Sequence, residues 1–259
     1  MLPTRLEIIP TDGIVAAVRA QVPAGATVTV TCLPHHGVER TMDTAQMLAG
    51  HGFNAVPHLA ARSIESREQL ASIVRACTTS GITEVFVIGG DKAQPAGPFA
   101  SGESLMREIA ELSANTLTMG VAGYPEGHPA ISDNQLLESL QAKQELASHI
   151  VTQMCFSPAV IGDYMDTLRT EGVGLPVLAG VAGNVPRTKL LLLAAKIGVG
   201  SSLKFISGKG ALSRSLLIGS RYQSGELIRA LTSLPHPPAG VHLYTFNNLD
   251  SEPVAEVAG

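Results

Sequence analysis

No tryptophan occurs in this chain of 259 residues, and aromatic residues make up only 4% of it. Lys and Arg are scattered, and the formal net charge is −4. Neither a stacking platform nor a basic footprint for nucleic acid is therefore available. Charged residues amount to 15% against 45% hydrophobic, which excludes a disordered chain and leaves ample material for a core. Cysteine is scarce too. Cys32, Cys77 and Cys155 are odd in number, far apart and without a C-x-x-C pair. That pattern supports neither a disulfide framework nor a zinc finger, and fits a reducing cytoplasm. The N-terminus "MLPTRLEIIP" lacks a basic segment leading into a long apolar run, and the greasiest window, "KLLLLAAKIGVG", is interrupted by Lys. The expectation is a cytoplasmic protein, neither secreted nor spanning a membrane.

What is present is a regular beat. Short β-rich runs recur as "LEIIP", "TVTVTCL", "NAVPHLA", "EVFVIGG", "LTMGVAG", "HIVTQMCF", "PVLAGVAG" and "GVHLYTF". Segments with helical spacing lie between them. In "SREQLASIVRACTTSG", Leu70, Ile73, Val74 and Cys77 form one stripe and Gly81 marks the stop; "NQLLESLQAKQELA" is a second such segment. About eight strand–loop–helix beats, with near-continuous apolar strands, point to parallel strands covered by helices. The count selects a (β/α)8 TIM barrel over an open doubly wound sheet. The whole chain, 1–259, is expected to form one such domain. An insertion is expected near 198–219, before the last helix in "SRYQSGELIRALTSL", and a frayed tail at 250–259.

In this architecture, function gathers where strands end and their loops begin. The strand ends offer Glu7, Thr29, Thr31, His58, Asp91, Tyr124 with Glu126 and His128, Gln153, and Tyr244 with Asn247. Glu7 is unusual because both its neighbours in "RLEIIP" are apolar. Pointing into the barrel mouth, it would be desolvated, its pKa would rise, and it could serve as a general acid near neutral pH; facing outward, it would be an ordinary edge residue. Asp91 follows the greasy run "EVFVIGG" and either accepts bonds from a ligand or caps the next turn. "GYPEGHP" brackets Glu126 and His128 between two prolines, with Tyr124 just before them, as a stiff functional loop or as a braced turn. His35 and His36 are adjacent and lack the spacing of a tetrahedral metal site. "GGDKAQPAG" and "AGVAGN" match neither G-x-G-x-x-G nor a P-loop.

In order along the chain, "LEIIP", "VTVTC", "GVERT", "PHLAARS", "VIGGD", "AGYPEGHP", "IVTQMCF" and "HLYTFNN" resemble the methylenetetrahydrofolate reductase family, from Glu7 to Asn247. The resemblance implies a (β/α)8 barrel that reduces 5,10-methylenetetrahydrofolate to 5-methyltetrahydrofolate. It places the family's catalytic acid on Glu7 and its pterin-binding Asp and Gln on Asp91 and Gln153. Thr31, His58, Tyr124 and His128 fall on positions that line the flavin in the family, with Tyr244 and Asn247 as further cofactor contacts. Lys189 lies on the helix after "AGVAGN", where the family places a substrate-side Gln.

The departures also carry information. Gly89 stands where the family has an Arg, and the helix after "GYPEGHP" offers Gln135, Ala142 and one Lys143 in place of an acidic residue and a basic pair. Each lost guanidinium removes charge-assisted bonds worth about 1.5–3 kcal/mol to a phosphate. The pattern resembles the short, flavin-independent, mycobacterial-type branch of the family, which implies NADH or NADPH as direct hydride donor and no FAD; a monomer or small homo-oligomer is expected. An FAD-dependent reductase and a folate-binding barrel without reductase activity are the competing expectations.

Overall fold

A computed structural model describes residues 2–34, 36–183 and 224–249. Eight strands close into a barrel in chain order: β1 Thr4–Ile8, β2 Thr27–Val30, β3 Asn54–Ala60, β4 Glu84–Ile88, β5 Thr118–Gly123, β6 His149–Thr152, β7 Val177–Ala182 and β8 Gly240–Tyr244. Every pairing is parallel, including β8 with β1, which leaves no edge. The described helices are α1 Ile14–Gln21, α2 Gly37–Gly50, α3 Arg67–Thr79, α4 Gly102–Leu112, α5 Asp133–Lys143, α6 Pro158–Thr170 and α7 Gly225–Thr232. The barrel expected from the beat of the sequence is the barrel observed. The expected insertion, the tail and Lys189 all lie outside the described residues.

Local chemistry starts several helices in the same way. Ser66, Ser101, Ser132 and Ser157 each accept a backbone N–H from the first turn of α3, α4, α5 and α6, satisfying a donor that the helix itself cannot pair. The stripe of Leu70, Ile73, Val74 and Cys77 on α3 is buried as its spacing requires. α5 behaves differently: only Leu140 is buried, so this helix stands off the barrel and opens a cleft.

Strand alternation divides the protein into two interiors. Leu6, Ile8, Val28, Val30, Leu59, Val85, Val121, Ile150, Val241 and Leu243 point outward and are buried under the helices in one continuous core. A small separate cluster of Val56, Phe86 and Val151 fills part of the barrel itself. Two glycines make that inner packing possible. A Cβ on Gly120 would lie 2.6 Å from the His149 ring and 2.8 Å from Phe86, and one on Gly180 would lie 2.1 Å from the Thr152 carbonyl oxygen. Much of the remaining inner surface is polar, and that is where the site is built.

Candidate active site

The register of β1 places Arg5 and Glu7 on the inner face, because Leu6 and Ile8 face the helices. Arg5 lies at the N-terminal end of the barrel, where its guanidinium donates to Glu84 Oε1 at 2.5 Å and lies 3.2 Å from His149 Nε2. One layer higher, Glu7 Oε2 sits 3.0 Å from His242 Nε2 on β8 and 3.5 Å from His58 Nε2 on β3. The glutamate side chain is 14% exposed. Burial raises its pKa from 4.5 to about 7, against a lowering pull from His58. Both imidazoles resist protonation. Burial pushes His58 down to about 4 and His242 to about 3, the latter helped by the nearby Arg5 cation. Near neutral pH the cluster is thus a carboxyl group poised to carry a proton, between two uncharged rings.

The exit of β1 is clamped by the loop after β8. Thr245 Oγ1 donates to the Glu7 carbonyl at 2.6 Å. Asn247 accepts the Ile9 N–H at 2.7 Å and donates to Ile9 O and Thr11 Oγ1, both at 2.9 Å. The Asn247 amide therefore has both hydrogens committed to the backbone and side chain of the β1 exit. Tyr244 reaches past β7 to donate its hydroxyl to the Thr152 carbonyl, at the end of β6, at 2.9 Å. Both residues were expected at the cofactor, and the hydrogen bonds observed here tie strand ends together.

The other expected residues divide between two places. Thr31, just past β2, is buried with its hydroxyl unpartnered, and His58 shares the Glu7 cluster. Gln153 follows β6 and is half-buried, its N–H donating to the Gly123 carbonyl at 2.7 Å. Asp91, Tyr124 and His128 instead line a cleft of about 1260 Å³ between β4, β5, α5 and α6. Asp91 is exposed, and no hydrogen bond to its own turn is formed among the described residues. Its charge reaches Tyr124, where, after burial, it is the second cause raising the phenol's pKa. The Tyr124 and His128 rings meet edge to face at 5.2 Å. Tyr124 also bears on Tyr244 electrostatically, so the cleft and the barrel mouth meet at these two phenols.

Three features were not anticipated from sequence. His242, buried beside Glu7, was signalled only by parity, since it lies two residues before Tyr244 and shares its face. Arg5 bears the same relation to Glu7. Arg62 organises the Asp91 loop by donating to the carbonyls of Lys92 at 3.0 Å and Ala100 at 3.1 Å; nothing local in the sequence marks that long-range contact.

The cleft's charge bears on which cofactor it could hold. Asp91, Glu126, Asp133, Asp163 and Glu171 line it against Arg62 and Lys143. Arg62 is engaged with carbonyls, and burial lowers the pKa of Lys143. Among the described residues the lining therefore carries more acidic than basic side chains.

Fold and site together define a (β/α)8 barrel with a buried carboxyl–imidazole cluster near the C-terminal ends of its strands. Residues 14–195 match the family model described as methylenetetrahydrofolate reductase, well over half of the chain, and the protein belongs to that family. Among curated proteins, the chain is similar to methylenetetrahydrofolate reductase 1 of Schizosaccharomyces pombe, 27% identical over 125 residues, covering 45% of this chain and 21% of that protein. It is also similar to methylenetetrahydrofolate reductase 2 of Saccharomyces cerevisiae, 26% identical over 113 residues, covering 39% and 19%. The matched stretches thus span about a fifth of these relatives. Among solved structures, one of oxaloacetate acetylhydrolase superposes with a TM-score of 0.56 at 10% identity, over 96% of this chain and 76% of that one. A second, with the inhibitor 3,3-difluorooxalacetate, gives 0.51 at 11%, over 82% and 83%. At such identities these likenesses show the barrel fold alone.

Proposed function

We propose that this protein reduces 5,10-methylenetetrahydrofolate to 5-methyltetrahydrofolate, with NADH or NADPH as the hydride donor and without a flavin. The observation that carries this reading is the Glu7 carboxyl, whose pKa burial raises to about 7 at the barrel mouth of a chain from the methylenetetrahydrofolate reductase family.

In this mechanism Glu7 gives its proton to N10 of the folate as the N10–methylene bond breaks, the bonding pair passing to nitrogen. The methylene carbon is left as an iminium on N5. Reduced nicotinamide supplies the hydride that completes the methyl group. Asp91 and Gln153 hold the pterin edge, whose amidine donors suit a carboxylate and an amide. Tyr124 and His128 line the cleft on the donor's side. Thr31 and His58 border the acid, Tyr244 and Asn247 keep the strand ends in register around it, and Lys189 is assigned to the substrate side.

Support for the flavin-free route comes from Gly89 in place of an arginine and from the acidic cleft. A nicotinamide donor carries a diphosphate as well, but it must leave after each turnover. Loose binding suits an exchanging substrate and defeats a resident cofactor. The discriminating experiment is a visible spectrum of the freshly purified protein, followed by NADH and NADPH oxidation with the folate, with and without added FAD. A colourless protein that oxidises the nicotinamide only when the folate is present is expected. A bound flavin spectrum, or activity only with FAD, would restore the two-step flavin route. Folate binding without turnover under every condition would favour a binding barrel that lacks reductase activity.

A further inference from the structure

Beside the acid stands a residue to which the reaction as drawn gives no task. His242 is 1% exposed, its Nε2 lies 3.0 Å from Glu7 Oε2, and its Nδ1 is buried without a partner. An imidazole held between one partner and none has its tautomer decided by that one contact and by the field around the other nitrogen. Arg5 lies directly across the β1–β8 register from His242. The Arg5 cation disfavours added positive charge on the ring, and an N–H on the buried Nδ1 would find no acceptor among the described residues, so a bare lone pair there is favoured. The proton of the neutral ring therefore belongs on Nε2, facing Glu7.

That assignment fixes the chemistry of the carboxyl group. Oε2 accepts the His242 N–H and acts as the carbonyl-like oxygen, so the acidic proton resides on Oε1. Oε1 has no hydrogen-bond partner among the described residues, and it does not appear among the buried unpartnered atoms. It is therefore free to face a ligand. When the proton leaves, the charge left on the carboxylate is met by the His242 N–H, and His58 Nε2 stands 3.5 Å away as a second candidate donor. The groups that face Glu7 are His242 and Tyr244 on β8, His58 on β3 and the unpartnered Thr29 hydroxyl on β2, with Arg5 one layer below on its own strand.

We propose that His242 is a positioning residue for the acid: its Nε2–H donates to Glu7 Oε2, assigns the transferable proton to Oε1, and holds the carboxylate that proton transfer leaves behind. The proposal rests on Glu7 being the acid of the proposed reaction, but its test does not require turnover. Carbon-13 NMR of glutamate-labelled protein, with the Glu7 signal assigned by its loss in Glu7→Gln, gives the Glu7 titration directly. In His242→Phe the carboxylate loses a charge-assisted bond, and the titration should move up by about one to two pH units. In His242→Gln, whose amide can still donate, it should stay within about half a unit of wild type. A titration unmoved in His242→Phe, or moved downward, would overturn the assignment, the latter because it would mean His242 had been accepting the acid's proton. Should His242→Phe fail to fold, nitrogen-15 shifts of wild-type His242 decide the matter. Protonated Nε2 with bare Nδ1 from about pH 5 to 9 is expected, and the opposite tautomer or an imidazolium would refute it. Loss of reductase activity in wild type alongside the expected titration would sink the proposed reaction and leave this assignment standing.

Discussion

Replacing Glu7 with glutamine exchanges an acid for a neutral amide of nearly the same shape, and the buried cluster around it predicts a signature in stability as well as in activity. In the unfolded chain Glu7 ionises around 4.5; in the barrel it ionises around 7. Between those values the native state holds a proton that the unfolded state has released, so wild-type stability falls as pH rises through the window. At about 1.4 kcal/mol per pH unit, the full penalty is about 3 kcal/mol. The amide of the Glu7→Gln variant never ionises and escapes it. Relative to wild type, the variant should therefore gain up to about 1 kcal/mol of stability at pH 5 and about 3 kcal/mol at pH 8. Urea unfolding at a series of pH values measures this difference. A gap that does not change between pH 5 and pH 8 would mean that Glu7 titrates as an ordinary surface carboxylate, and the case for it as an acid at neutral pH would collapse. In the same variant, turnover should drop by roughly 100- to 10,000-fold while folate binding is nearly retained, as expected for loss of a proton donor.

Three histidines that are buried among the described residues give the opposite slope on the acid side. His58 and His149 fall to about 4 and His242 to about 3, so below about pH 6.5 the unfolded chain gains protons that the native barrel refuses. Thermal midpoints should drop steadily from about pH 6.5 towards pH 4, and a flat profile would count against buried neutral rings. Asn247→Gly keeps a residue that tolerates the positive φ of 63° but removes the clamp on Ile9 and Thr11. It should cost about 1–3 kcal/mol in chemical denaturation, and no loss would show that the clamp is idle. Gly180→Ala drives a methyl group into the Thr152 carbonyl oxygen, a backbone clash that no rotamer relieves. Destabilisation by at least about 3 kcal/mol or insoluble expression is expected, and a soluble variant of wild-type stability would show that the β6–β7 approach is looser than described.

Much of the architecture follows from local pattern. The eight apolar runs each became a strand, and the stripe on α3 became its buried face. These features depend on a two-residue or 3.6-residue period and on side chains a few positions apart, which a linear sequence displays directly. Glu7 stood out for the same reason, because a carboxylate between apolar neighbours breaks a local rule.

Closure of the barrel decided the rest. Glu7 meets His242 and His58, Arg5 meets Glu84 and His149, and Asn247 clamps the β1 exit, through contacts between residues as many as 238 positions apart. Parity could say which face each side chain would take, but not which strands would be neighbours across the axis. The division of the expected site also came from tertiary structure: α5 buries little beyond Leu140, so Asp91, Tyr124 and His128 open onto a cleft while Glu7 and His58 stay inside the barrel. Sequence thus determined the elements and the unusual acid. Only the closed sheet, by removing that acid from water and surrounding it with rings kept neutral by burial, gave it a pKa suited to proton transfer.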